Sequence, residues 1–125
     1  MEAMPVSKEA LAIYRATAQR RAEARQRALE ARRQRAWEAA RTAAQLLKAS
    51  FHASRVVVFG SLLREHGFHE RSDIDLAAWG LAPEDYFLAV ARLQEIDPEF
   101  EIDLVDVAHC QPRLRAVIEQ EGVTL

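Results

Sequence analysis

The hydrophobic and polar positions fall into two regimes. From Ser7 to Ser50 there is no Gly or Pro, and Ala and Arg, both strong helix formers, dominate. This pattern predicts one long helix, with Ser7 as N-cap and Glu9 favourable in its first turn. A helix of about 40 residues would be about 60 Å long, so it is expected either to break or to project from a small domain. Leu11, Tyr14 and Ala18 form one apolar stripe. Trp37, Ala40, Ala44 and Leu47 form a better one, expected to pack on the segment that follows. Between them, RRAEARQRALEARRQR is polar apart from Ala and Leu29, which predicts a solvated helix or a partner surface.

After residue 50 the pattern alternates between strand and helix periods. Arg55 to Phe59 reads as a β-branched strand, and Ser61 to His66 as a short helix ended by Gly67. Asp73 to Trp79 reads as a second strand. Pro83 opens a helix whose apolar face holds Tyr86, Phe87, Ala89, Val90 and Leu93. Phe100 to Val107 reads as a third strand. Pro112 opens a last helix with Leu114, Val117 and Ile118, and Gly122 suits its C′ position. The expected fold is α/β (α+β): a small mixed three-stranded sheet flanked by helices, with a long N-terminal helical extension. Two units are expected, an Ala/Arg-rich extension over 1–50 and a domain over 51–125.

The chain has 125 residues, room for one compact domain and an appendage. A lone cysteine, Cys110, excludes an internal disulfide and fits a reducing cytosol. No apolar stretch approaches the roughly 18 to 20 residues that span a bilayer. The start of the chain lacks the apolar core of a signal peptide. A soluble, cytoplasmic protein with no membrane partner is therefore expected. The net charge of −2 hides a division. Residues 1–50 hold 11 Lys and Arg against 5 Asp and Glu, whereas residues 51–125 hold 6 against 14. Glu23, Glu30 and Glu38 interrupt the Arg-rich helix, which argues against direct nucleic-acid binding.

The candidate chemistry lies in VVVFGSLLREHGFHERSDIDLAAW, residues 56–79. In a strand, alternate residues share a face, so Asp73, Asp75 and Ala77 point one way and Ile74, Leu76 and Ala78 the other. Two carboxylates that close repel, and a divalent cation with a preference for hard oxygen ligands resolves the conflict. Asp103, set between Ile102 and Leu104 in the third strand, supplies a third carboxylate. Gly60 lets backbone approach a ligand closely, and Ser61 adds a hydroxyl suited to phosphate. For Gly60 and Asp73 to reach one site, the first two strands should run antiparallel, with the short helix crossing the sheet between them. His66 and His69 read as a solvent-exposed loop pair rather than zinc ligands. Trp37 and Trp79 read as core, and Cys110, set between His109 and Gln111, has no thiol partner and is given no catalytic role.

The run VVVFGSLLR, then SDIDL, then EIDLVD resembles the minimal nucleotidyltransferases of the polymerase-β-like superfamily, among them the MntA-type antitoxins of HEPN/MNT toxin–antitoxin pairs. The closing PRLRAVIEQEGVTL is similar to that family's last helix, so the resemblance covers about residues 50–125. The Gly-Ser to Asp-x-Asp spacing is one residue longer than the common form, and GFHER stands where a small, polar loop is usual. The resemblance implies nucleotidyl transfer from ATP, with two Mg²⁺ ions held by Asp73, Asp75 and Asp103. Gly60 and Ser61 would hold the β- and γ-phosphates and Arg64 would offset their charge. It also implies a partner, a HEPN-type helical RNase toxin, silenced by AMP transfer to a tyrosine. Alternatives left open are a small-molecule acceptor and a non-catalytic antitoxin that works by binding alone. A second copy of the chain is a further candidate partner.

Overall fold

A computed structural model describes residues 7–125. The long helix, α1 (Lys8–Phe51), runs unbroken for 44 residues. Ser7 caps it as expected, its Oγ accepting a hydrogen bond from the Ala10 amide at 3.0 Å. It ends where His52 turns left-handed (φ 58°), and the Ala53 amide returns to the Leu47 carbonyl at 3.0 Å. The C-terminal half is the packing half: Ala36, Ala39, Ala40, Ala43, Ala44, Leu47 and Phe51 are buried. Alanines at those positions let the helix axis approach the sheet closely. Trp37 packs at the margin of this core. From Lys8 to Ala28 every residue but Thr17 is exposed, so the N-terminal half projects as an arm.

The strands are β1 (Arg55–Phe59), β2 (Ile74–Trp79), β3 (Ile102–Asp106) and β4 (Val123–Thr124), in the order β3-β2-β1-β4. β1 is antiparallel to β2 and β4, and β2 is parallel to β3. The sheet is mixed, as expected, but has four strands rather than three. The fourth is two residues long and exposed, and so leaves no hydrophobic pattern to read. It forms because the chain leaves α3 (Pro112–Glu121) at Gly122 and drops beside β1, where the Leu125 amide bonds the Val56 carbonyl at 2.9 Å. Gly122 has φ −69°, so it serves no left-handed cap. A side chain there would run into Val57 Cγ1 and the Ile118 carbonyl. Its lack of one is what lets β4 reach the sheet.

Each strand sorts its residues by face. Val56, Val58, Ile74, Leu76, Ala78, Ile102 and Leu104 join the core under α1 and α2 (Tyr86–Gln94). Val57, Phe59, Ala77 and Val107 form a smaller core on the other face, covered by Ile118 and Leu114 of α3. Full burial of each Leu, Ile or Val contributes roughly 1.5–3 kcal/mol. The segment after β1 is a single 3-10 turn, Gly60–Leu63, rather than a helix reaching His66. Because β1 and β2 are adjacent and antiparallel, their linker stays at one end and does not cross the sheet. The crossover is made instead by α2, between the parallel β2 and β3.

Candidate functional site

The site forms where the smaller core runs out. Phe59 on β1 pairs with Asp75 on β2, and Asp75 pairs with Asp103 on β3. Residues in register share a face, so Asp75 and Asp103 stand together on the α3 side of the sheet. Ala77, one step along β2, is covered by that side's core. At Asp75 and Asp103 the apolar cover has ended. Asp73 precedes β2 and sits two residues before Asp75, half-buried like it, whereas Asp103 is exposed.

The three carboxylates act on one another. Burial, then the charges of Asp103 and Asp73, push the Asp75 carboxyl up to about 6. Burial and the charge of Asp73 also raise Asp103. Among the described residues no Lys, Arg or His pairs with any of the three, and no side chain or amide hydrogen-bonds their carboxylates. No three His, Cys, Asp or Glu side chains among the described residues close into a ready metal cage. The donor set nevertheless has the chemistry of a hard cation: oxygen ligands only, converging from two adjacent strands, with repulsion that a cation would relieve.

Gly60 opens the turn with φ +80°, and a Cβ there would meet the Asp75 carboxylate. The glycine therefore brings backbone directly against the central acid. Ser61 follows, half-exposed, its carbonyl accepting from the Arg64 amide at 3.1 Å. Arg64 is exposed and makes no ion pair with the acids; its stem packs on Gly67, where any side chain would collide with it. The structure thus brings Gly60, Asp73, Asp75 and Asp103 to one end of the sheet, with Ser61 next in chain, and leaves Arg64 on the linker beyond.

Residues that the sequence did not single out hold this end in place. Arg33 donates to the Leu62 carbonyl at 3.3 Å and pins the Gly-Ser turn to α1. Arg32 lies 4.4 Å from the Phe100 ring centroid and 5.8 Å from that of Phe68, which anchors the linker. Gln94 grips the outer edge of β3 beside Asp103: its Nε2 donates to the Ile102 carbonyl at 2.7 Å and its Oε1 accepts from the Ile102 amide at 3.1 Å. Tyr86 donates to the Leu104 carbonyl at 2.7 Å. The one available signal for Arg32 and Arg33 was their position, three and four residues before the buried Ala36. His66 and His69 are exposed, and line a cleft of about 810 Å³ between the linker and α1.

No curated protein matches the chain. Among solved structures, a minimal nucleotidyltransferase is 29% identical with a TM-score of 0.52, over 79% of this chain and 94% of its own. A toxin–antitoxin complex with AMP-PNP is 23% identical with a TM-score of 0.55. A mutant of the toxin–antitoxin pair MntA-HpeT is 20% identical with a TM-score of 0.53. Each of these two alignments covers 64% of this chain and 66% of the other, just under two thirds of its length. Residues 42–125 match the family described as polymerase beta, nucleotidyltransferase, a span that takes in the last turns of α1, all four strands and every carboxylate of the site. The chain belongs to the polymerase beta nucleotidyltransferase family.

Proposed function

We propose that this protein is a Mg²⁺-dependent nucleotidyltransferase that transfers AMP from ATP to a tyrosine of a HEPN-type RNase toxin, and so acts as its antitoxin. The observation that carries the reading is the setting of Asp75. It is backed by Gly60, in register with Asp103, raised by burial and by its acidic neighbours, and compensated by no cation among the described residues.

Asp73, Asp75 and Asp103 are the residues that would hold Mg²⁺. When bound there it supplies charge to offset the triphosphate and lowers the pKa of the acceptor hydroxyl. The Gly60 backbone and the Ser61 hydroxyl receive the β- and γ-phosphates, which the absence of a side chain at Gly60 makes room for. Arg64 is assigned to phosphate charge at the rim. The acceptor oxygen forms a bond to the α-phosphorus as the bond to the β-phosphate oxygen breaks, and pyrophosphate leaves. Asp103, the most open of the three acids, is assigned to accept the proton of that hydroxyl. The likeness to a toxin–antitoxin complex with AMP-PNP supports both the nucleotide and the class of partner. The exposure of Asp103 supports an acceptor delivered by another chain.

Intact-mass spectrometry tests the reading. The protein is incubated with ATP and Mg²⁺, with and without the product of its neighbouring gene, beside an Asp73→Asn/Asp75→Asn variant. One or more AMP-sized increments on the partner, absent with the variant, are expected. A partner that stays unmodified yet is silenced by the double variant overturns transfer and leaves inhibition by contact.

A further inference from the structure

The apolar stripe of α1 does not stop where the body stops. Leu11, Tyr14, Ala18, Ala22, Arg25 and Leu29 continue, in steps of three and four, the face that carries Ala36, Ala40, Ala43 and Leu47 into the core. The arm half of that face is uncovered: Tyr14 is 71% exposed, and Ile13 beside it 67%. Cations surround it, with Lys8, Arg15, Arg20, Arg21, Arg25 and Arg27 set against Glu9 and Glu23 alone.

The body presents the converse surface. α2 turns Phe87, Leu88 and Ala91 outward, and Phe87 is 81% exposed. Carboxylates border it in the chain: Glu84 and Asp85 precede α2 and Glu95 follows it, against the single cation Arg92. The chain already joins these two chemistries once, at the foot of the arm, where Arg35 pairs with Asp97 at 3.1 Å and Glu99 at 2.7 Å. The arm cannot reach its own α2 face. Leu11 lies about 37 Å along an unbroken helix from Ala36, the first residue it buries. Two arms cannot pair either without bringing their excess positive charge together.

We propose that the arm of one copy docks on the α2 face of a second copy, and the second arm on the first body, in a reciprocal two-fold dimer. Leu11 and Tyr14 cover Phe87 and Leu88, while arm arginines face Glu84, Asp85 and Glu95. Each copy gives and receives the same contact, so the symmetry closes on itself and doubles the buried area. This assignment is independent of the reaction proposed above.

Analytical ultracentrifugation of the full chain decides it. At low salt the expected mass is twice the 14.2 kDa of the monomer. It should fall towards the monomer near about 1 M salt, where the screening length drops to about 3 Å. Tyr14→Glu and Phe87→Glu each alter an exposed residue, and circular dichroism checks that both remain folded. Each alone should be monomeric. An equimolar mixture of the two should regain a weaker dimer, because one intact arm still meets one intact face. A Phe87→Glu variant that remains dimeric overturns the proposal in favour of arm-to-arm pairing. A wild type that is monomeric at every concentration overturns it too, and loss of a co-expressed partner by Tyr14→Glu would then hand the arm to that partner.

Discussion

The backbone of Gly60 lies against the carboxylate of Asp75, at a left-handed φ of +80°. Two costs therefore meet at one position: a Cβ would be strained by the backbone and would overlap the acid, with its Cγ at 3.3 Å. Gly60→Ala should lower unfolding stability by about 1–3 kcal/mol and remove nucleotidyl transfer. A thermal-unfolding cycle with Asp75→Ala separates the two costs. Where the carboxylate is gone, the penalty of Gly60→Ala should shrink to the backbone strain alone. Strict additivity of the two changes would show that the contact carries no energy.

Asp75 also sets a pH dependence whose sign is unusual for a carboxylate. Its folded pKa is raised from 3.8 to about 6, so the folded state holds the proton more tightly than the unfolded one. Stability from this group is greatest below about 3.8 and is lost as pH rises through about 6. In the presence of a chelator, Asp75→Asn should therefore raise the melting temperature above pH 6 and change it little at the acid end. Solvent reaches this half-buried group, so the effect is a moderate one. Mg²⁺ should invert the comparison: it favours the ionised acids, and so should raise the melting temperature of the wild type near neutral pH but not that of Asp73→Asn/Asp75→Asn. A wild type indifferent to Mg²⁺ would remove the metal from the proposed mechanism.

Gln94 makes a sharper test of positioning. β3 is an edge strand, and its outer amide and carbonyl at Ile102 are both taken by one side-chain amide, next to Asp103. Gln94→Leu keeps the volume but removes both bonds, at a cost of about 1–3 kcal/mol. A purely structural role would lower only the melting temperature. A role in setting Asp103 should also shrink the Mg²⁺-induced rise in melting temperature, and Gln94→Leu should lower the transfer rate at saturating ATP below what its folded fraction explains.

How far the sequence carried these conclusions varies by element. The pairing of β1 with β2 followed from two site residues at opposite strand ends, and the faces of Ile74, Asp75 and Leu76 followed from alternation alone. Strand limits moved inward, Asp73 and Phe100 falling outside, because a strand ends at its last ladder bond and not at its last apolar residue. β4 was illegible, since pairing of Val123 and Thr124 depends on the space left at Gly122, which no local pattern encodes. Arg32 and Arg33 read as solvated for a related reason. Their partners, the Phe100 ring and the Leu62 carbonyl, lie 68 and 29 residues away in the chain, and a guanidinium on an aromatic face has no periodic signature.

Truncation measures how much of α1 the body needs. The change of composition at residue 50 marks where helix gives way to strand, yet burial begins at Ala36 and the family match at residue 42. Removing residues 1–30 takes away only the arm and keeps Arg32, Arg33 and Arg35 on their partners. That chain should unfold cooperatively, with a melting temperature close to that of the full protein at high salt, where the proposed dimer is dissociated. Removing residues 1–50 strips Ala36, Ala40, Ala43, Ala44 and Leu47 from the β1 and β2 part of one face of the sheet, and uncovers Val56, Val58 and Leu76. Loss of a buried Leu alone costs about 2–5 kcal/mol when it leaves a cavity, and here the cover itself is lost, against a total stability of about 5–15 kcal/mol. Residues 51–125 alone should show no cooperative transition by circular dichroism. A folded, Mg²⁺-responsive 51–125 would mean instead that the second half of α1 is an attachment and that α2 and α3 suffice to close the core.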